Sequence, residues 1–177
     1  MPSSSEGQIE ANEDLFQAGN FAAIMLAVKE RIIDCVDDAG PTNVRIMSAN
    51  PGSGTGLPVP AYVISPSGSM GYDQAAFAGG GQAQTTVRTE VIVTCKVAGA
   101  SDKVDEIEAW FFKQERARLA ILSALTAFMP MDEESEPLTN EPFVPARGAW
   151  SKDKTMGEVQ VVFSIEFDEK FIIHPEV

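Results

Sequence analysis

Asp132, Glu133, Glu134 and Glu136 place four carboxylates within five positions, with no basic residue among them. Oxygen ligands crowded in this way hold calcium when they alternate around a central glycine and end on a glutamate at fixed spacing. No glycine stands in this run, so its chemistry is that of a solvated acidic loop, held open by like-charge repulsion. A nucleophile–histidine pair needs a histidine that can shuttle protons. The chain has one histidine, His174, in its closing residues, which reads as a solvated tail position. Cys35 and Cys95 are the only cysteines. One falls on a helix face and the other on the apolar face of a strand, so both are expected to be buried and inert. Asn50–Gly56 (NPGSGTG) has the glycine content of a phosphate-binding loop, but Leu57 and Pro58 stand where the Lys and Ser/Thr should be. It reads as a turn. No residue of the chain is therefore expected to be catalytic, to bind a cofactor or to ligate a metal.

What remains is contact chemistry. Phe77 is an isolated ring in a segment of small and polar residues, with nothing local to pack against, which makes it a candidate to meet a partner. In the run Trp110-Phe111-Phe112, the first two positions match the apolar face of a helix. Phe112 falls off it and is either a second contact candidate or a cover for the sheet edge. The acidic residues Asp132, Glu133, Glu134 and Glu136 complete the candidates for an interface or the wall of a channel.

Composition limits the partners. A net charge of −13 on 177 residues works against tight binding of duplex DNA or an anionic membrane, because phosphate recognition needs clustered Lys and Arg. An acidic wall can still let DNA slide past. No stretch approaches the roughly twenty apolar residues of a membrane span. The first ten residues lack the positive and apolar regions of a secretion signal, so the chain reads as soluble and intracellular when made.

Two long alternations set the architecture. In Val87–Val97, Val87, Val91, Val93, Cys95 and Val97 share a face, opposed by Thr86, Arg88, Glu90, Thr94 and Lys96, with Ile92 the apolar exception. In Val159–Phe167, Val159, Val161, Phe163, Ile165 and Phe167 share a face, opposed by Gln160, Ser164, Glu166 and Asp168. Period-2 alternation predicts a sheet with one buried face and one wet face. Helical spacing of Ile24, Val28, Ile32 and Val36 predicts a helix over 15–36, capped by Asn12 or Asp14 and stopped at Gly40-Pro41. Trp110, Gln114, Ala117, Ile121, Leu125 and Phe128 predict a second helix over 102–129, capped by Ser101 or Asp102 and ended by Pro130. Shorter strands are expected over 44–48, 60–65 and 143–150, the last at an edge because of Pro145.

The expected fold is α+β: a mostly antiparallel, mixed sheet of four to five strands with two helices packed on one face. Residues 1–14 read as a flexible acidic arm and 15–177 as a single domain, with long loops at 66–81 and 130–142. The expected core holds Ile24, Val28, Ile32, Val91, Val93, Ile121, Leu125, Val161, Phe163 and Ile165.

This order of elements resembles the phage tail terminator, or tail completion (minor tail), family. Leu57-Pro58-Val59-Pro60-Ala61-Tyr62-Val63-Ile64 is similar to the Leu-Pro signal of its early strand. Thr86–Val97 is similar to its central strand, Val104–Phe128 to its second helix, and Val159–Phe167 to its closing strand. The resemblance covers most of 15–171 and is one of pattern. It implies a homo-hexameric virion protein of the tail or neck, assembled in the host cytoplasm. Such a ring caps the tail tube and meets the head connector or neck protein, while DNA passes through without being held tightly. The segments 66–81 and 131–141 depart from the family pattern. The competing readings are a non-enzymatic adaptor, or another neck or tail completion protein, working as a monomer or dimer, and, ranked below both, an enzyme using scattered carboxylates.

Overall fold

The computed structural model describes residues 4–48, 56–79, 81–98, 104–152 and 156–173. Its centre is the pair formed by β4 (Gln82–Ala98) and β6 (Met156–Ile172), antiparallel in unbroken register from Gln82↔Ile172 to Ala98↔Met156. The register puts Val91 opposite Phe163, Val93 opposite Val161 and Cys95 opposite Val159. The two apolar alternations therefore coincide on one face, which pins the register.

The remaining strands extend this pair. β2 (Ala61–Tyr72) runs antiparallel to β4, β1 (Val44–Ile46) runs parallel to β2, and β5 (Val144–Lys152) runs antiparallel to β6. The order is β1-β2-β4-β6-β5, and β3 (Ala76–Gly79) also pairs with β4. The sheet has six strands and stays open. β5 lies at the edge, with a register shift between Pro145 and Arg147, where the missing proline N–H is tolerated.

Two helices, α1 (Ser4–Cys35) and α2 (Val104–Leu125), pack on the apolar face. Every expected core residue is buried, and Phe21 stacks on Phe167 with ring centroids 5.7 Å apart. Gly157 lets α2 approach the sheet, because a Cβ there would collide with the side chains of Trp110 and Gln114. The Gln114 amide then donates to the carbonyls of Ser151 and Glu158, both at 3.3 Å. Arg31 of α1 closes the other end of α2. Its Nε donates to Ala124 O at 3.0 Å, and its guanidinium lies 5.3 Å from the centroid of Phe128. A cation there suits the carbonyl end of a helix that carries no basic residue in its own last turn.

The structure corrects several expectations. Helical backbone begins at Ser4, so it takes in residues 4–14, which were expected to form an arm. The helix is interrupted at Gly19 (φ 81°, ψ 177°). The expected cap positions Asn12 and Asp14 fall within the helical backbone before this interruption, so the part that docks on the sheet starts at neither. Instead the Asn20 N–H donates to Glu169 Oε1 at 3.2 Å, and Asn20 Nδ2 donates to Asp168 O at 2.6 Å. A carboxylate from the last strand thus takes the place of a local cap.

The segment 66–81 is not a loop over most of its length. β2 continues to Tyr72 past a register shift between Pro66 and Met70, and β3 returns along β4. Pro66, Gly68 and Gly71 sit where an irregular edge tolerates them. Thr94 and Lys96, expected on a wet face, are buried. Lys96 Nζ lies 3.3 Å from Glu158 Oε1, an ion pair that makes its burial tolerable. Cys35 is exposed at the end of α1, where the following Val36 is the buried residue. Cys95 is buried, both thiols are free, and burial raises the Cys95 thiol to a pKa of about 12. Residues 50–55 of the NPGSGTG turn, the proposed cap residues Ser101 and Asp102, and His174 lie outside the described residues.

Candidate interaction surfaces

The outer face of the sheet is a ladder of ion pairs. Arg88 Nε donates to Glu166 Oε2 at 2.6 Å, and its NH1 donates to Asp73 Oδ1 at 2.9 Å. Arg147 forks onto Glu90, with NH2 2.7 Å from Oε2. Thr86 and Gln84 both donate to the Asp168 carboxylate. The Arg147 hydrogen bond holds the Glu90 carboxyl below its ordinary pKa, and Arg88 followed by Asn140 does the same for Glu166. These carboxylates stay ionised near neutral pH and act as anchors for guanidinium groups, not as proton donors. A shallow cleft of about 520 Å³ opens over this ladder, bordered by Ser69, Arg88, Glu90, Val144 and Glu166.

A second cavity of about 460 Å³ lies between the end of α1 and α2, with Asp37 and Asp38 on one wall and Lys113 and Arg116 on the other. The Tyr62 hydroxyl donates to Asp38 Oδ1 at 2.5 Å, and burial raises the Tyr62 pKa. Asn43 holds this corner together. Its Nδ2 donates to the carbonyls of Asp38 (2.8 Å) and Pro60 (2.7 Å), and its Oδ1 accepts from the Gly40 N–H at 2.7 Å. Among the described residues, no group of three or more His, Cys, Asp or Glu side chains could hold a metal ion. No helix among them is long and apolar enough to cross a membrane.

The contact candidates are dispersed. Phe77 lies on β3 with 79% of its surface exposed, and Phe112 lies on α2 with 56% exposed. Asp132, Glu133, Glu134 and Glu136 are exposed in the loop after α2. That loop is closed by a bridge between Met131 and Pro137, and the Asp132 carboxylate accepts the N–H groups of Glu134 (2.9 Å) and Glu136 (2.8 Å). Asp132 is therefore a local turn-former, whereas Glu133 and Glu134 point their charge at water. No hydrogen bond, ion pair or ring contact joins Phe77, Phe112 and the acidic loop among the described residues.

The helix holds a surface that periodicity did not reveal. Phe111, expected on the buried face with Trp110, is 50% exposed, and Leu119 is equally exposed. Phe112 and Leu119 are seven residues apart and form the outermost ridge of α2. Trp150 of β5 is also exposed, with Arg118 lying 5.9 Å from its ring centroid. α2 thus carries exposed apolar side chains on its outer side, standing among the exposed Asp105, Glu108, Lys113 and Arg116. The signal for it was the spacing of Phe112 and Leu119, which reads as background once Lys113, Glu115, Arg116 and Arg118 are taken as a wet face. A second apolar surface lies at the far end of the sheet. Phe77 and Phe171 both pair with Ala83, and Tyr72 pairs with Val87. This brings three exposed rings onto one face.

No protein-family model matches this chain, and no curated protein matches it.

Proposed function

We propose that this chain is a structural assembly protein of a phage tail or neck, which forms a homo-hexameric ring capping the tail tube and meets the head connector on its other side. The observation that carries the reading is the outer ridge of α2. Phe111, Phe112 and Leu119 are about half exposed on a helix whose inner face is fully packed, and exposed apolar surface of this kind marks a site covered by protein. The order of a docked helix, a short strand, a long strand, a second helix and a closing strand is the order on which the resemblance to tail terminators rests. The acidic balance suits a ring through which DNA slides unheld, and its home would be the virion, after assembly in the host cytoplasm. The competing adaptor reading relies on strand addition at a free edge. It is disfavoured at β5, where Pro145 and a register shift blunt the edge.

The test is the solution mass of the purified chain by light scattering, with negative-stain images and a binding assay on tail-tube protein. Sixfold rings, free or seated on the tube, are the expected result. A monomer or dimer that ignores the tube would replace the ring reading with the adaptor.

A further inference from the structure

We propose that the cavity between the end of α1 and α2 binds a small zwitterion with an apolar body, of the class of short apolar peptides. It holds about 460 Å³, within the range of small-molecule pockets. Its floor is apolar and set by the fold, with Val36, Tyr62, Val97 and Ala117 all buried. Asp37 and Asp38 stand on one wall, and Lys113 and Arg116 on the other. Binding here does not depend on whether copies of the chain form a ring.

The cations on the α2 wall are the first observation. Arg31, Arg45, Arg88, Arg118 and Arg147 each donate to a carbonyl or a carboxylate. Arg116 and Lys113 make no hydrogen bond or ion pair among the described residues. They stand three positions apart, neighbours on one helix face, where like charges destabilise. Both lie in the middle of α2, away from the carbonyl end where a cation is favoured. The fold therefore gains nothing from the pair, although the chain carries a net charge of −13. A carboxylate entering the cavity relieves their repulsion and accepts from both.

The acidic wall asks for the opposite charge. The Tyr62 hydroxyl donates to Asp38 Oδ1 at 2.5 Å, and Asn43 Nδ2 donates to the Asp38 carbonyl at 2.8 Å. These bonds hold Asp38 in position beside Asp37, which has no partner among the described residues. An ammonium group suits this wall. No ion pair among the described residues spans the cavity, so the two walls are held apart with their charges unspent on each other. A single amino acid carries both of its charges on one carbon and cannot serve two walls. Each further residue moves the termini apart by up to ~3.3–3.6 Å, and apolar side chains then cover the floor.

The experiment measures binding of leucyl-leucine to the full-length protein by calorimetry, beside its N-acetyl form, which lacks the ammonium, and its C-terminal amide, which lacks the carboxylate. Leucyl-leucine is expected to bind, and each blocked form to bind about tenfold more weakly, the loss of one charge-assisted contact. K113Q/R116Q should lower the affinity for leucyl-leucine to that for the amide while leaving the amide unchanged. D37N should do the same with respect to the N-acetyl form. All three positions are exposed, and thermal melts establish that the variants remain folded. The comparison of the three peptides on wild type needs no variant. Absence of leucyl-leucine binding, equal binding of all three peptides, or variants that keep the wild-type preferences would each overturn the site and leave the ring reading untouched.

Discussion

Phe163 shows how much one side chain contributes. It is fully buried, packs against Phe143 with centroids 6.1 Å apart, and pairs with Val91 across the β4–β6 ladder. Phe163→Ala is expected to lower stability by about 3–5 kcal/mol through lost burial and the remaining cavity. Urea denaturation read by circular dichroism measures this, and a neutral result would mean that the site collapses around the smaller residue. That the position is buried was legible in the sequence, because its alternation partners Val161 and Ile165 share its face. Phe111 was not legible in the same way. It lies on the flank of α2, and whether a flank is covered depends on how far the neighbouring strand reaches, which periodicity does not encode.

At the scale of elements, the ends of α2 offer two contrasting expectations. The helix finishes at Leu125, and Ala127 follows with φ 60°, a left-handed conformation that costs an alanine about 1 kcal/mol and a glycine almost nothing. Its N–H donates to Phe143 O at 3.0 Å, a bond that glycine would retain. Ala127→Gly should therefore raise stability by up to about 1 kcal/mol, visible as a higher thermal midpoint. In the loop that follows, E133Q/E134Q should leave the melt unchanged, since neither side chain forms a hydrogen bond or ion pair among the described residues. An unfolded double variant would show that these charges hold the loop in place. The elements themselves were legible wherever a period ran long enough, as in β4, β6 and the inner face of α2. The extension of β2 and the return of β3 were hidden because Pro66, Gly68 and Gly71 are turn residues by local chemistry. In β2, pairing with a strand fifteen or more residues away, across a register shift, overrides that preference. The Glu169 cap was hidden for the same reason, since no local spacing connects it to Asn20.

For the whole molecule, charge governs the response to acid. The folded-state pKa values of Glu90 and Glu166 lie below the ordinary 4.5, through Arg147 for the first and Arg88 for the second. The unfolded chain therefore takes up protons at these groups before the folded chain does. The stability they contribute is complete above the ordinary value and is lost as pH falls through the lower folded values. The thermal midpoint should drop on acidification from about pH 5 to about pH 3, and the drop should be shallower in R88A/R147A. An equal slope in that variant would assign the acid response to other carboxylates.

Time also enters through the interruption at Gly19. The docked half of α1 begins at Asn20, and its cap is supplied by Glu169, 149 residues later. Synthesis at a rate of about 5–20 residues per second separates the two by roughly seven to thirty seconds. During that interval the helix is already made while its cap and its stacking partner Phe167 do not yet exist. The docked half of α1 is therefore secured only after β6 has been made, and a nascent chain cannot complete this seam ahead of time.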